Sequence, residues 1–73
     1  MRIAQVLEKP IRALGGTWNT QRAVTALRDA GHGTGDQRQQ EKRTRQALRD
    51  LADAGVIVKT EPRRATYRLA TEQ

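Results

Sequence analysis

Apolar positions along this chain form three helical stripes followed by two short runs of strand character. In residues 2–14, Ile3, Val6, Leu7, Ile11 and Leu14 recur three and four apart, the period of one helix face. Pro10 interrupts that stripe. It lacks the N–H that a helix interior needs and crowds the preceding turn. A kink is therefore expected, or a break near Glu8–Lys9 with Pro10 opening a second short turn. Gly15 and Gly16 end the element, and Thr17 and Trp18 suit a very short strand. Asn19 or Thr20 offers an N-cap for a second helix over about residues 20–30. Its buried stripe is Ala23, Val24, Leu27 and Ala30, and Gly31 is a natural residue after the C-cap.

The linker Gly31-His32-Gly33-Thr34-Gly35 is expected to be flexible, and Asp36 suits the N-cap of a third helix over about residues 37–54. Thr44, Ala47, Leu48 and Leu51 share one face of that helix. Gln39, Lys42, Gln46 and Arg49 lie opposite, with Arg38 and Arg45 beside them. Gly55 stops the helix. The segment 56–69 then reads as a hairpin, with Val56 and Val58 expected to face Tyr67 and Leu69, and with Pro62 in the turn. Residues 70–73 are expected to fray. The similar stretches Ala26–Gly31 and Ala47–Gly55 read as two alike helix ends and not as a repeat.

Composition sharpens this outline. Seventy-three residues make one domain with a small core. Phe is absent, and Trp18 and Tyr67 are the only aromatics, so Leu, Val, Ile and Ala must fill that core. Without Cys there is no disulfide framework and no thiolate metal site. No apolar run approaches the ~20 residues of a membrane span, and the first residues lack the apolar stretch of a signal peptide. A cytoplasmic protein with no membrane partner is the default expectation.

The net charge of +6 is unevenly placed. Residues 38–49 hold five bases against one acid, and residues 59–68 hold four against one. The rest of the chain is slightly acidic. The positive excess therefore sits on the third helix and the hairpin, which points to a polyanion as partner. The plain alternative is a solvated face.

Catalytic chemistry is hard to assemble. Neither Ser nor Cys occurs, so hydroxyl and thiol nucleophiles reduce to Thr. His32 is the only histidine and lies in a Gly-rich turn, far short of a zinc ligand set. Asp50 and Asp53 lie three apart beside Arg49, where solubility and local ion pairing are the expected roles. The glycine-rich linker lacks the Gly-Lys-Ser/Thr ending of a phosphate loop and no strand precedes it. A single phosphate on the amides that open the third helix is the residual option there. No catalytic residue, metal site or cofactor is expected.

Arg can donate two hydrogen bonds to guanine, and Gln can both donate to and accept from adenine. A helix face with Arg38, Gln39, Lys42, Arg45, Gln46 and Arg49 carries both readers. Arg38, Gln39, Lys42 and Gln46 are the candidates for base contact. Arg43, Arg45 and Arg49 belong to the same candidate DNA-binding set, and for any one of these residues a phosphate contact or plain solvation is the commoner role, since the backbone takes over half of protein–DNA hydrogen bonds. Lys59, Arg63 and Arg64 on the hairpin complete the candidate DNA-binding set and would reach a minor groove or flanking phosphates. Trp18, Val24, Leu27, Thr44, Ala47, Leu48, Leu51, Val56, Ile57, Tyr67 and Leu69 are expected to be structural.

The order helix, glycine stop, strand, basic turn, strand over Arg43–Leu69 resembles the recognition helix and wing of small bacterial winged helix-turn-helix regulators. The motif is TRQALRDLADAGVIV followed by RRATYRL, with Leu48, Leu51, Gly55 and Tyr67 in the family's places. Its strong part covers about a third of the chain. The resemblance implies a mainly α fold with a small β-hairpin: three helices and a two- or three-stranded wing. It also implies double-stranded DNA binding, often in transcription control or as a mobile-element accessory factor. Dimers on two-fold sites are a further implication. The turn between the second and third helices is longer and richer in Gly than the family's usual tight turn. Many relatives dimerise through an extra helix that this sequence does not show. Binding as a monomer, a weak homodimer or DNA-mediated oligomer, and membership of a larger protein all stay open.

The alternative is a winged-helix interaction module docking on an acidic protein. RNA ranks last. An A-form major groove is too narrow for a helix, and single-strand binding usually needs exposed aromatics.

Overall fold

In a computed structural model, residues 3–70 are described. They form α1 (Ile3–Leu14), β1 (Trp18–Asn19), α2 (Thr20–Asp29), α3 (Gln37–Asp53), β2 (Ile57–Lys59) and β3 (Thr66–Leu69). The fold is mainly helical, with one small antiparallel sheet in the order β1-β3-β2. No helix among the described residues is long and apolar enough to cross a membrane.

Each helix starts and stops for local reasons. Asn19 caps α2 by accepting the Arg22 amide at 2.7 Å, and Asp36 caps α3 by accepting the Gln39 amide at 2.8 Å. Both helices end in the same way. His32 N–H reaches back to Leu27 O and Gly31 N–H to Arg28 O; Val56 N–H reaches Leu51 O and Gly55 N–H reaches Ala52 O. This is the Schellman arrangement, and it accounts for the likeness of the two sequence stretches. Gly55 holds a φ of +79°, a conformation that costs a side-chain-bearing residue.

The core draws on every element: Leu7 and Ile11 from α1, Trp18 from β1, Ala23 and Leu27 from α2, Ala47, Leu48 and Leu51 from α3, Ile57 from β2 and Leu69 from β3. Each large aliphatic side chain fully removed from water contributes about 1.5–3 kcal/mol. Trp18 is buried with its indole N–H satisfied by Gly15 O at 3.0 Å, and the Arg22 guanidinium lies over its ring, 4.1 Å from the centroid. Arg22 also donates to Thr17 O at 2.9 Å, so its role is to close the core beside β1.

Ala30, expected in the buried stripe of the second helix, is exposed, because α2 ends at Asp29 and Ala30 is its C-cap. Four further sequence expectations change. First, of the kink or break expected at Pro10, the break is absent: α1 runs continuously from Ile3 to Leu14. Leu7 and Ile11, on either side of the proline, are both fully buried. Their burial outweighs the one hydrogen bond that proline removes.

Second, the hairpin is shifted by one residue. Ile57 pairs with Leu69, Val58 with Arg68 and Lys59 with Tyr67. Ile57 is therefore the inward residue and Val58 is exposed, the reverse of the expected Val56/Val58 face. The cause is the end of α3: Val56 is committed to Leu51 O, so the strand begins at Ile57. Cross-strand pairs share a face, and the whole set follows.

Third, the Gly-rich linker, expected to be flexible, makes contacts with the helices on both sides. Gln40 donates to Gly35 O at 2.8 Å and Arg43 to Thr34 O at 3.4 Å. A Cβ on Gly33 would lie 3.2 Å from Arg28 Cα and 2.6 Å from Arg28 Cγ, so the linker passes close over α2. Fourth, Ala70 is tied to the sheet, its N–H donating to Val56 O at 2.9 Å. Residues 71–73, the rest of the expected frayed tail, lie outside the described residues.

A candidate nucleic-acid interface on α3 and the hairpin

Thr44, Ala47, Leu48 and Leu51 anchor α3 to the core, and this fixes which side it turns to solvent. Arg38, Lys42, Arg45 and Arg49 are all exposed. At 3.6 residues per turn these four fall within about 60° of arc and span about 16 Å of helix. Their successive spacings are four, three and four residues, so each cation neighbours another of the same sign. Such pairs destabilise a helix by about 0.2–0.5 kcal/mol each.

Ion pairing does not relieve them. Among the described residues the ion pairs are Arg12–Glu8 at 2.7 Å on α1 and Arg64–Glu61 at 3.5 Å in the hairpin turn, and neither involves α3. Arg45 lies along its own helix, with Nε donating to Glu41 O at 3.4 Å.

The amide-bearing residues take a different edge. Gln39, Gln46 and Asp50, with Lys42, Arg43 and Ala47, line a cleft of about 890 Å³ against Ile3 and Ala4 at the start of α1. Gln46 Nε2 donates to Asp50 Oδ1 at 3.0 Å. Asp50 thus holds an amide, and the local ion pairing expected of it is absent among the described residues. Arg43 is half-buried and turned to Thr34 O, so it braces the linker more than it extends the cationic stripe. At the opening of α3 the Asp36 carboxylate accepts the Gln39 amide, which sets a negative charge against a phosphate resting there.

On the hairpin, Lys59, Arg63, Arg64 and Arg68 are exposed. Pro62 sits second in a turn closed by Arg64 N–H to Glu61 O at 3.3 Å. Glu61 half-neutralises Arg64, so Arg63 is the freer cation of the tip. No hydrogen bond or ion pair among the described residues joins the hairpin cations to those of α3.

Sequence reasoning left out two residues. Arg68 belongs with the exposed hairpin cations, and the alternation Thr66-Tyr67-Arg68-Leu69 already put it opposite the buried Leu69. Asp50 gave no signal beyond its i,i+4 spacing from Gln46. Among the described residues, no group of three or more His, Asp or Glu is placed to hold a metal ion. No known protein family, curated protein or solved structure matches this chain.

Proposed function

We propose that this chain is a winged helix-turn-helix domain that binds double-stranded DNA, with α3 in the major groove and the β2–β3 hairpin as a wing on the backbone or minor groove. The observation that carries the reading is the stripe Arg38, Lys42, Arg45 and Arg49, exposed, mutually repelling and without a carboxylate partner among the described residues. A helix with no anionic partner gains by interleaving acids, as α1 does with Glu8 and Arg12. A duplex phosphate backbone converts the repulsion into attraction by releasing condensed counterions. The order of elements and the three-stranded sheet β1-β3-β2 suit the same reading. Transcription control or service to a mobile element is the corresponding biological role, with the chain acting in the cytoplasm and without enzymatic activity.

About 4–8 phosphate contacts would make log K fall with log[salt] at a slope of about −4 to −7. The deciding experiment is charge reversal. Arg45→Glu with Arg49→Glu, checked for folding by circular dichroism, is expected to abolish retention of duplex DNA. Undiminished DNA binding by the folded double variant overturns the proposal. Loss of an acidic protein partner instead supports the docking-module alternative.

A further inference from the structure

We infer that Asp50 is a positioning residue that makes Gln46 a reader of adenine in preference to guanine. The inference rests on the DNA-binding reading above and adds to it one specific base contact and the residue that sets it.

A glutamine amide has two N–H donors and one carbonyl acceptor, and by itself it can turn either end outward. Here Nε2 donates to Asp50 Oδ1 one helical turn further on, at 3.0 Å. One N–H is thereby committed. What remains is one N–H and the carbonyl oxygen. Adenine offers the matching pair in the major groove, N7 as acceptor and the N6 amine as donor. Guanine offers two acceptors, N7 and O6. To meet both, Gln46 would have to withdraw from Asp50. A carboxylate would then be left facing two acceptor atoms with no donor between them. Thymine O4 takes the remaining N–H but offers no donor to the carbonyl, and cytosine supplies only an amine to accept, so neither base meets both groups.

Gln39 provides an internal contrast. It lies two turns earlier on the same edge of α3 and lines the same cleft. Four residues after it stands Arg43, which has no acceptor and is turned toward Thr34 O. Among the described residues no side chain accepts a hydrogen bond from the Gln39 side-chain amide, so the base preference is assigned to Gln46.

The test is selection from a randomised duplex library with the full chain, at one salt concentration. The variants are Asp50→Ala, Asp50→Asn and Gln46→Ala, each confirmed folded by circular dichroism. The wild-type chain is expected to select one position at which adenine exceeds guanine by about tenfold. Gln46→Ala should bring that ratio close to one, and Asp50→Ala should lower it severalfold, because an unheld amide still pairs with adenine but is free to turn its N–H edge to guanine. Asp50→Asn keeps an acceptor oxygen in place and should restore most of it. A merely structural role for Asp50 would change stability without moving the base ratio. An unchanged ratio in Asp50→Ala, or its survival in Gln46→Ala, overturns the inference. So does a wild-type chain that binds duplex DNA with a steep salt slope but selects no base, although DNA binding itself then stands. A chain that retains no duplex at all defeats the DNA-binding reading, and this inference falls with it.

Discussion

The two ion pairs of the described chain form a matched experiment on the proposed DNA-binding face. Glu61→Gln removes the acid that faces Arg64 in the hairpin turn, and Glu8→Gln removes the one that faces Arg12 on α1. Each raises the net charge by one and frees one arginine. Neither should change stability by more than about 1 kcal/mol, because both pairs are local and solvent-exposed; Arg64 and Glu61 are 74% and 59% exposed. Their effects on binding should differ. Arg64 stands on the proposed wing, so its release adds about one phosphate contact. That contact steepens the slope of log K against log[salt] by about 0.9 and raises affinity about five- to tenfold near 0.1 M salt. Arg12 stands on α1, outside the proposed interface, so Glu8→Gln should leave the slope unchanged. Fluorescence anisotropy with a labelled duplex, repeated across salt concentrations, reads both quantities. Equal steepening by the two variants would mean that binding follows net charge and not location. No effect from Glu61→Gln would remove the turn from the interface. Either result refutes the reasoning.

Three further outcomes test the fold that presents this surface. Ile57→Ala should cost about 2–5 kcal/mol in chemical denaturation, while Val58→Ala should cost under about 1 kcal/mol, since Ile57 is 1% and Val58 40% exposed. Equal costs would contradict the strand register. Gly33→Ala should lower stability by about 1–3 kcal/mol, because its Cβ meets Arg28 Cα and Cγ, and thermal melting would show an unchanged midpoint if the linker were free. Asp36→Ala should cost about 1 kcal/mol through loss of the cap on the Gln39 amide, read by urea denaturation.

The parts of this fold written in the sequence are those fixed by dense local pattern. The stripe Thr44, Ala47, Leu48 and Leu51 is repeated over enough turns of α3 to leave one choice of buried face, and that choice decides which cations are exposed. Asn19, Asp36, Gly31 and Gly55 act on amides or carbonyls within a few residues, so the helix ends were readable as well.

Illegible features depended on contacts made elsewhere. Val56, Ile57 and Val58 are all apolar and β-branched, so alternation carries no polar residue to set the face. The commitment of Val56 to Leu51 O sets it instead. Pro10 signals a break whose effect is cancelled by burial of Leu7 and Ile11. The cleft between α3 and the start of α1 exists only once the helices pack. That packing divides the polar side of α3 into a cationic stripe and an amide edge, two groups that a helical wheel leaves merged. Arg43 shows the same limit, since its tie to Thr34 O needs the linker folded back.

Amide chemical-shift mapping of the isotope-labelled chain during titration with a short duplex at low salt tests the central claim most directly. The perturbed residues should trace the exposed side of α3 from Arg38 to Arg49 and the turn around Arg63, with the shifts reversing as salt is added. Perturbation confined to the groove between α1 and α2, lined by Val6, Pro10, Ala26 and Ala30, with α3 silent, would contradict it.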